Sequence, residues 1–220
     1  MLYPVPAVLV SVADSAGNDN LITIAWTGTV CSDPAMTYIS VRKERYSHHM
    51  LKENKEFVIN LVSKEICRAA DFCGVRSGRD LDKFEATGLT REKASTVNVP
   101  LVKESPVNIE CKVTQVLELG SHDMFLAKVT AVQVDESLLD EKGKLDLNKA
   151  HLVAYSHGEY QTFDNILGTF GYSVKKKDKK EKKKALTKKS SSDNSCQLLI
   201  PNACFRKILQ NCYMNMSLLQ

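Results

Sequence analysis

A dense cluster of basic, hydroxyl and imidazole side chains lies in the first quarter of the chain. Its members, within eight residues, are Arg42, Lys43, Arg45, Ser47, His48 and His49. Guanidinium, hydroxyl and imidazole groups hold a phosphate through charge-assisted hydrogen bonds. The cluster therefore predicts a phosphate site, and a solvated, charged turn is the alternative.

A run of small side chains comes before this cluster. The segment from Thr27 to Asp33 is interpreted as a tight polar loop, because Pro34 restricts the residue before it to extended geometry. Small side chains let a flat ligand approach the backbone amides. A flat ring beside a phosphate site suggests flavin mononucleotide (FMN).

The elements that must position these residues are predicted to be mainly strands. The predicted strands cover residues 8–12, 21–26, 36–41, 57–61, 107–119, 124–134 and 151–155, and the predicted helices cover 47–54 and 63–72. Ser47 is expected to cap the first helix, and residues 74–88 are expected to form a long ordered loop with a helical turn. Several short strands with few helices predict a mainly β fold, a closed or nearly closed antiparallel barrel.

Charge is distributed unevenly along the 220 residues. The chain has a net charge of +4, but residues 175–220 carry 12 Lys and Arg against 3 Asp and Glu. The body is therefore acidic overall, which argues against nucleic-acid binding by the domain. The lysine-rich segment predicts a disordered tail, 175–220, outside a domain spanning 1–174. A basic arm that contacts anionic surfaces is the competing interpretation of this tail.

Several classes of site have no signal in the sequence. The seven cysteines form no CxxC pair, which argues against a zinc knuckle and a disulfide framework. Neither a dinucleotide-binding GxGxxG nor a P-loop is present. No apolar run is long enough to cross a bilayer. With no signal-peptide pattern at the start, the cytoplasm is the expected location and no membrane partner is expected.

A set of ordered blocks carries a resemblance to a known family. The blocks are IAWTGTVCSDP, ISVRKERYSHHML, FVINL, GVRSGRDLDKF, SHDMFLAKV, HLVAYSHGEY and LGTFGYSV. Together they resemble the flavin reductase-like, FMN-binding split-barrel family, close to its flavoredoxin-like members. The resemblance covers residues 1–174 and implies a six-stranded, antiparallel Greek-key split barrel. It also implies a homodimer with FMN near the interface.

The resemblance implies which residues hold the flavin. The implied cofactor-binding set is Asn20, Ala25, Trp26, Thr27, Gly28, Val41, Arg42, Ser47, Ser77, Lys83, His122 and Tyr155. Without the resemblance, many of these would be interpreted as ordinary core, turn or surface residues. None of them is expected to be catalytic in the sense of proton transfer.

Within this set the resemblance gives each group a place. Asn20 and Trp26 lie beside the flavin ring, and backbone at Ala25, Thr27 and Gly28 contacts its pyrimidine edge. Ser47 and Arg42 hold the phosphate. For Arg45, a phosphate contact and a solvated, charged turn are equal alternatives. Lys83, in a loop shaped by Ser77 and Gly78, reaches the N1/O2 edge, where a cation stabilises reduced flavin. His122 and Tyr155 border the ring.

Two functions follow from the resemblance and remain open. The first is an NAD(P)H-dependent flavin reductase that takes electrons from NADH or NADPH through FMN. The alternative is a flavoredoxin-type, non-enzymatic electron carrier between protein partners. The sequence contains no independent NAD motif, so it does not separate the two.

Overall fold

A seven-stranded antiparallel sheet forms the centre of the computed structural model. Its strands, in spatial order, are β3 (Asp19–Ile24), β2 (Val8–Ala13), β6 (Glu56–Leu61), β9 (Val107–Leu119), β10 (His122–Val134), β5 (Ala35–Arg42) and β4 (Thr27–Ser32). Strands β5 and β6 follow each other in the chain, yet β9 and β10 lie between them in the sheet. This crossover is the connection expected of a Greek key.

The described residues also form shorter elements. A three-stranded sheet contains β1 (Val5–Pro6), β11 (Val153–Ser156) and β12 (Glu159–Thr162), and β7 (Arg91–Glu92) pairs with β8 (Leu101–Val102). The α-helices are α1 (Tyr46–Asn54), α2 (Cys67–Val75) and α3 (Lys83–Thr87), and 3-10 helices lie at Glu136–Leu138, Leu147–Ala150 and Tyr172–Val174. The structure describes residues 2–163 and 165–174. The predicted tail at 175–220 lies outside these described residues.

Strand β2 is buried on both faces, which explains its almost unbroken apolar sequence. All six of its residues are buried. Val10 packs into a cluster with Phe57 and Phe125, whereas Leu9 packs into a second cluster with Leu21 and Phe84. Helix α1 contributes to the first cluster, and helices α2 and α3 contribute to the second. Strand β2 thus lies between two apolar layers.

The segment from Thr27 to Asp33 is a strand over most of its length, so its assignment as a loop is wrong. Residues Thr27–Ser32 pair with β5. A Cβ at Gly28 would lie 3.2 Å from the ring of Tyr38, which is a tight contact, so the glycine gives this ring room. The hydroxyl of Thr27 donates to the backbone carbonyl of Tyr38 at 2.6 Å. The small side chains therefore serve strand pairing, and β4 gives the sheet one strand more than the six expected.

Other element boundaries also differ from the sequence predictions. Helix α1 begins at Tyr46, with Arg45 as its N-cap and no side-chain capping bond, so Ser47 does not cap it. The second helix lies at Cys67–Val75, a few residues later than predicted. Strand β12 follows β11 and was not predicted. The predicted loop at 74–88 contains α3, whose N-cap Asp82 accepts a hydrogen bond from the backbone amide of Glu85.

A buried carboxylate connects the long β9–β10 hairpin to the loop before β8. Glu110 is fully buried. Its two oxygens accept hydrogen bonds from the backbone amides and hydroxyls of Ser95 and Thr96, and from the side chain of Gln133. Burial raises the pKa of Glu110, but these bonds, led by the Thr96 hydroxyl, outweigh burial and lower the pKa to about 2. The charged form is therefore the one that stabilises the fold.

We expect Glu110→Gln to reduce the free energy of unfolding at pH 7 by about 2–4 kcal/mol, because a charge-assisted network is lost. The ordinary pKa of the carboxyl, 4.5, is higher than its folded value. The difference between wild type and variant should therefore be full above about pH 4.5 and shrink toward pH 2. Urea unfolding across this range measures it, with exposed Glu141→Gln as the control. A difference that stays constant down to pH 2 would contradict this assignment.

Candidate functional site

Two adjoining pockets lie along β3 and contain most of the predicted site residues. The polar pocket, about 310 Å³, is lined by Asn20, Ser47, Ser77 and Lys83 together with Arg45, Arg76 and Arg79. The aromatic pocket, about 390 Å³, is lined by Ala25, Trp26, Val41, Arg42, His122 and Tyr155, among others. Both pockets include Ile22 and Arg45, so they share a boundary. Their size is in the range of cofactor sites in proteins.

Three elements meet at Asn20 in the polar pocket. Asn20 is buried on β3, and its side-chain amide donates to the hydroxyl of Ser47 on α1 at 2.8 Å. A Cβ at position 78 would overlap the side chain of Asn20, so Gly78 lets the loop before α3 lie directly against it. The position of Ser47 therefore depends on β3 and on this loop, and not on helix capping.

Lys83 is a buried lysine that connects α3 to two other elements. Its Nζ donates at 2.7 Å to the backbone carbonyls of Leu21 on β3 and Cys73 on α2. Among the described residues, these bonds use two of the three ammonium donors, which leaves one for a group in the pocket. Burial lowers the pKa of Lys83 to about 8. Lys83 shares its pocket with Ser47, the predicted phosphate ligand.

The polar pocket contains two arginines that the sequence analysis did not select. Arg76 and Arg79 line it from the loop before α3, and the Arg79 guanidinium lies 5.6 Å from the centre of the Tyr46 ring. The signal was present, because these arginines flank Ser77 and Gly78 in one polar stretch. Together with Arg45, they give this pocket a cationic rim.

Arg42 lies elsewhere than its predicted role suggests. It lines the aromatic pocket, not the polar pocket that contains Ser47, and its guanidinium is 3.4 Å from the carboxylate of Glu44. Strand β5 ends at Arg42, whereas Ser47 lies in helix α1 beyond a turn. Arg45 and Ser47 line the same pocket, whereas Arg42 lines the adjoining one, and the phosphate roles of all three residues stay predictions.

The aromatic pocket is built around a half-exposed tryptophan. Trp26 is 48% exposed, and its ring stacks on His122 with centroids 4.6 Å apart and an interplanar angle of 29°. Burial, assisted by the charge of Arg42, lowers the pKa of His122, which favours the neutral imidazole. A large apolar ring left half open beside a cavity is typical of a binding surface.

The remaining candidates line neither pocket. Thr27 and Gly28 line neither pocket and instead contact Tyr38 on β5. The ring of His48 contacts the buried Asp123 at 2.8 Å, and His49 packs on Tyr46. A backbone contact between Thr27 or Gly28 and a ligand stays a prediction.

Within residues 2–163 and 165–174, two other classes of site are absent. No group of three or more metal-binding side chains is present in these ranges. No helix in them is long and apolar enough to span a membrane.

Lys83→Met is expected to change how stability depends on pH. The folded pKa of about 8 lies below the ordinary value of 10.5, so the unfolded chain binds more protons between these values. Wild-type stability should therefore rise relative to the variant from pH 8 to pH 10.5, by at most about 3 kcal/mol. Denaturant unfolding at several pH values measures this, with exposed Lys103→Met as the control. A pH-independent difference would mean that Lys83 is not held in this environment.

Comparison with known proteins gives a consistent result. The family described as "Flavin reductase like domain" matches residues 1–164. The structure is similar to flavoredoxin of Desulfovibrio vulgaris (Miyazaki F), with a TM-score of 0.74 and 33% identity, covering 80% of this chain and 95% of that one. It is also similar to a split barrel domain protein from Shewanella frigidimarina, with a TM-score of 0.69 and 26% identity, covering 75% and 85%. The predicted split-barrel fold class is confirmed.

One of the curated relatives is named for a chemical activity. The NADH:riboflavin 5'-phosphate oxidoreductase of Streptomyces pristinaespiralis is 21% identical over 136 residues, covering 60% of this chain and 72% of the relative. The family match covers most of the chain, and the structural neighbours share its fold. This chain belongs to the flavin reductase-like domain family.

Proposed function

We propose that the two adjoining pockets bind one FMN and that the protein is an NAD(P)H-dependent flavin reductase. The observation that carries this proposal is the shared boundary of a cationic, hydroxyl-lined pocket and an aromatic pocket. A phosphate in the first and an isoalloxazine ring in the second would match the two ends of one molecule. The similarity to flavoredoxin and to an NADH:riboflavin 5'-phosphate oxidoreductase supports the same cofactor.

The polar pocket fits a phosphate dianion. Arg45, Arg76 and Arg79 contribute exposed guanidinium groups, and Lys83 contributes a buried ammonium. Ser47 is buried, and its hydroxyl accepts from Asn20, so its own proton is available to a phosphate oxygen. Glu44 is the one carboxylate among the residues that line this pocket. The balance of charge in the pocket therefore favours an anion.

The aromatic pocket fits a flat ring. Trp26 and Tyr155 offer apolar ring surface, and Ala25 leaves space beside the backbone. FMN, when bound, accepts a hydride and passes its electrons onward. The chain's own residues would hold the ring, exclude water from one side and adjust its electronics. The neutral His122 can donate or accept one hydrogen bond there, and Arg42 places a positive charge beside the same pocket.

The carrier function is the second candidate. Its support is the similarity to flavoredoxin at 33% identity over most of both chains. In that case the pockets would hold FMN in the same way, and reducing equivalents would come from a redox protein. The two candidates differ in whether a nicotinamide nucleotide reduces the bound flavin.

We also propose a homodimer formed by the folded domain, with residues 175–220 not needed for flavin binding. The dimer proposal is supported by exposed apolar side chains that a partner protomer could cover. They include Val30, Leu119 and Val132. The family match over residues 1–164 supports a domain that ends before the lysine-rich segment.

The purified protein is expected to show oxidised flavin bands at about 370 and 450 nm, or to acquire them with added FMN, because the pockets match both ends of the cofactor. Anaerobic NADH or NADPH should then bleach the 450 nm band. Bleaching supports the reductase, whereas bands that persist with both nucleotides but fade with a reduced redox protein support the carrier. A colourless protein that takes up no FMN would contradict both candidates.

Gly78→Ala is expected to weaken FMN binding by about tenfold or more, equivalent to about 1.4 kcal/mol. The added methyl group would overlap Asn20 and push the loop away from Ser47. Quenching of Trp26, the single tryptophan, measures FMN affinity directly. Thermal unfolding without FMN checks that the fold is retained. Wild-type affinity in a folded variant would show that the loop does not position the phosphate ligands.

A further inference from the structure

Arg91 joins two elements of the polar pocket without lining it. It lies in the short strand β7 and lines neither of the two adjoining pockets. Its guanidinium donates from Nε and Nη2 to the two carboxylate oxygens of Asp19, at 2.7 and 2.9 Å. The same Nη2 also donates to Oδ2 of Asp82 at 2.6 Å. One side chain therefore connects the first residue of β3 to the N-cap of α3.

Each of these two carboxylates comes directly before a residue that lines the polar pocket. Asp19 precedes Asn20 on β3, and successive side chains of a strand lie on opposite faces. Asp19 can therefore contact Arg91 while Asn20 faces the pocket. Asp82 precedes Lys83 at the start of α3, and it uses Oδ1 to cap this helix and Oδ2 to accept from Arg91. The position of the guanidinium therefore sets how far apart β3 and the start of α3 lie.

The fold also holds Arg91 itself in place. Strand β7 pairs with β8, and the backbone amide of Val102 on β8 donates to the buried side chain of Asn60 in the main sheet. The guanidinium lies over the ring of Phe84, with its Cζ 4.4 Å from the ring centre. Phe84 is buried in the apolar cluster that contains Leu21. These contacts fix where the guanidinium lies, so it can act as a rigid bridge between the two carboxylates.

The bridge depends on the shape of the guanidinium as well as on its charge. A planar guanidinium presents parallel donors to a carboxylate, whereas the ammonium of a lysine is a compact point charge. Asp19 and Asp82 contact the same Nη2 of Arg91. Without the arginine, their like charges would lie close together and push the two elements apart. Arg91 is therefore suited to keep Asn20 and Lys83 at a fixed separation.

We propose that Arg91 is a positioning residue for the flavin phosphate, because it holds the two carboxylates that precede Asn20 and Lys83. This assignment rests on the proposed FMN site. Arg91 acts through side chains that the phosphate would meet. Asn20 donates to the hydroxyl of Ser47, and Lys83 supplies an ammonium group in the same pocket. Riboflavin lacks the phosphate, so loss of the bridge should weaken the binding of FMN and leave the binding of riboflavin nearly unchanged.

Two substitutions separate the positioning effect from the effect of charge. Arg91→Lys keeps the positive charge and loses the planar fork. Asp82→Asn keeps an acceptor for the cap of α3 but turns an amide N–H toward the donors of Arg91, which ends that contact. Because Asp82→Asn also removes a negative charge, long-range electrostatics alone would strengthen FMN binding, whereas positioning predicts that it weakens. The controls are Arg68→Lys and Asp80→Asn, which make the same changes at exposed positions that line neither pocket.

Quenching of Trp26 fluorescence is titrated on full-length protein with FMN and, separately, with riboflavin. We expect Arg91→Lys to lower the preference for FMN over riboflavin about fivefold or more, and Asp82→Asn about threefold or more, since charge-assisted contacts are lost. Each control should stay within about twofold of wild type. Thermal unfolding without flavin checks that the fold is retained. The side chains of Arg91 and Asp82 are 38% and 36% exposed, and either variant alone decides the test if the other fails to fold.

The outcomes separate this role from the flavin site on which it rests. A wild type that binds neither flavin, or binds riboflavin as tightly as FMN, would contradict the proposed phosphate pocket, and the role of Arg91 would fail with it. If the wild type prefers FMN and both variants keep this preference, the role of Arg91 alone is wrong. Equal losses for both flavins, or stronger FMN binding by Asp82→Asn, would also overturn it, because they indicate a general structural effect or an effect of charge. A reduced preference for FMN with unchanged riboflavin binding supports it.

Discussion

The rest of the site depends on how β3, an edge strand of the main sheet, satisfies the backbone hydrogen bonds of its outer edge. In the main sheet, as far as the structure describes it, β3 pairs with β2 alone. Its other edge must find partners elsewhere, because unpaired backbone groups are costly when buried. Lys83 supplies one such partner by donating to the carbonyl of Leu21. In this strand, Asn20 and Ile22 line the polar pocket, and residues 22–26 line the aromatic pocket.

This arrangement explains how the fold accommodates a buried lysine, Lys83. Burying an ammonium group is unfavourable unless its donors are bonded, and the two carbonyls of Lys83 come from different elements. The same side chain therefore joins β3, α2 and α3 and leaves a charge at the wall of the polar pocket. The lowered pKa of Lys83 reflects the cost of this position, which an anionic ligand would reduce.

Charge differs between the two adjoining pockets. The polar pocket has a rim of arginines, whereas the aromatic pocket has the neutral His122 beside Arg42. Such an order would orient a flavin, with its phosphate in the polar pocket and its ring in the aromatic pocket. The proposed reductase and carrier functions would therefore use the same flavin site.

The sequence by itself determined the fold family and most strand positions, and most of the site residues that it predicts line the two adjoining pockets. Alternating β-branched residues and the order of the blocks carried this information. The sequence did not determine which small residues serve pairing and which serve a ligand. The segment after Trp26 is strand β4, because it pairs with β5, and its Gly28 leaves room for the ring of Tyr38. Only the tertiary structure decided the places of Arg42 and of the loop arginines Arg76 and Arg79, because such neighbours are brought together by strand order and not by spacing along the chain.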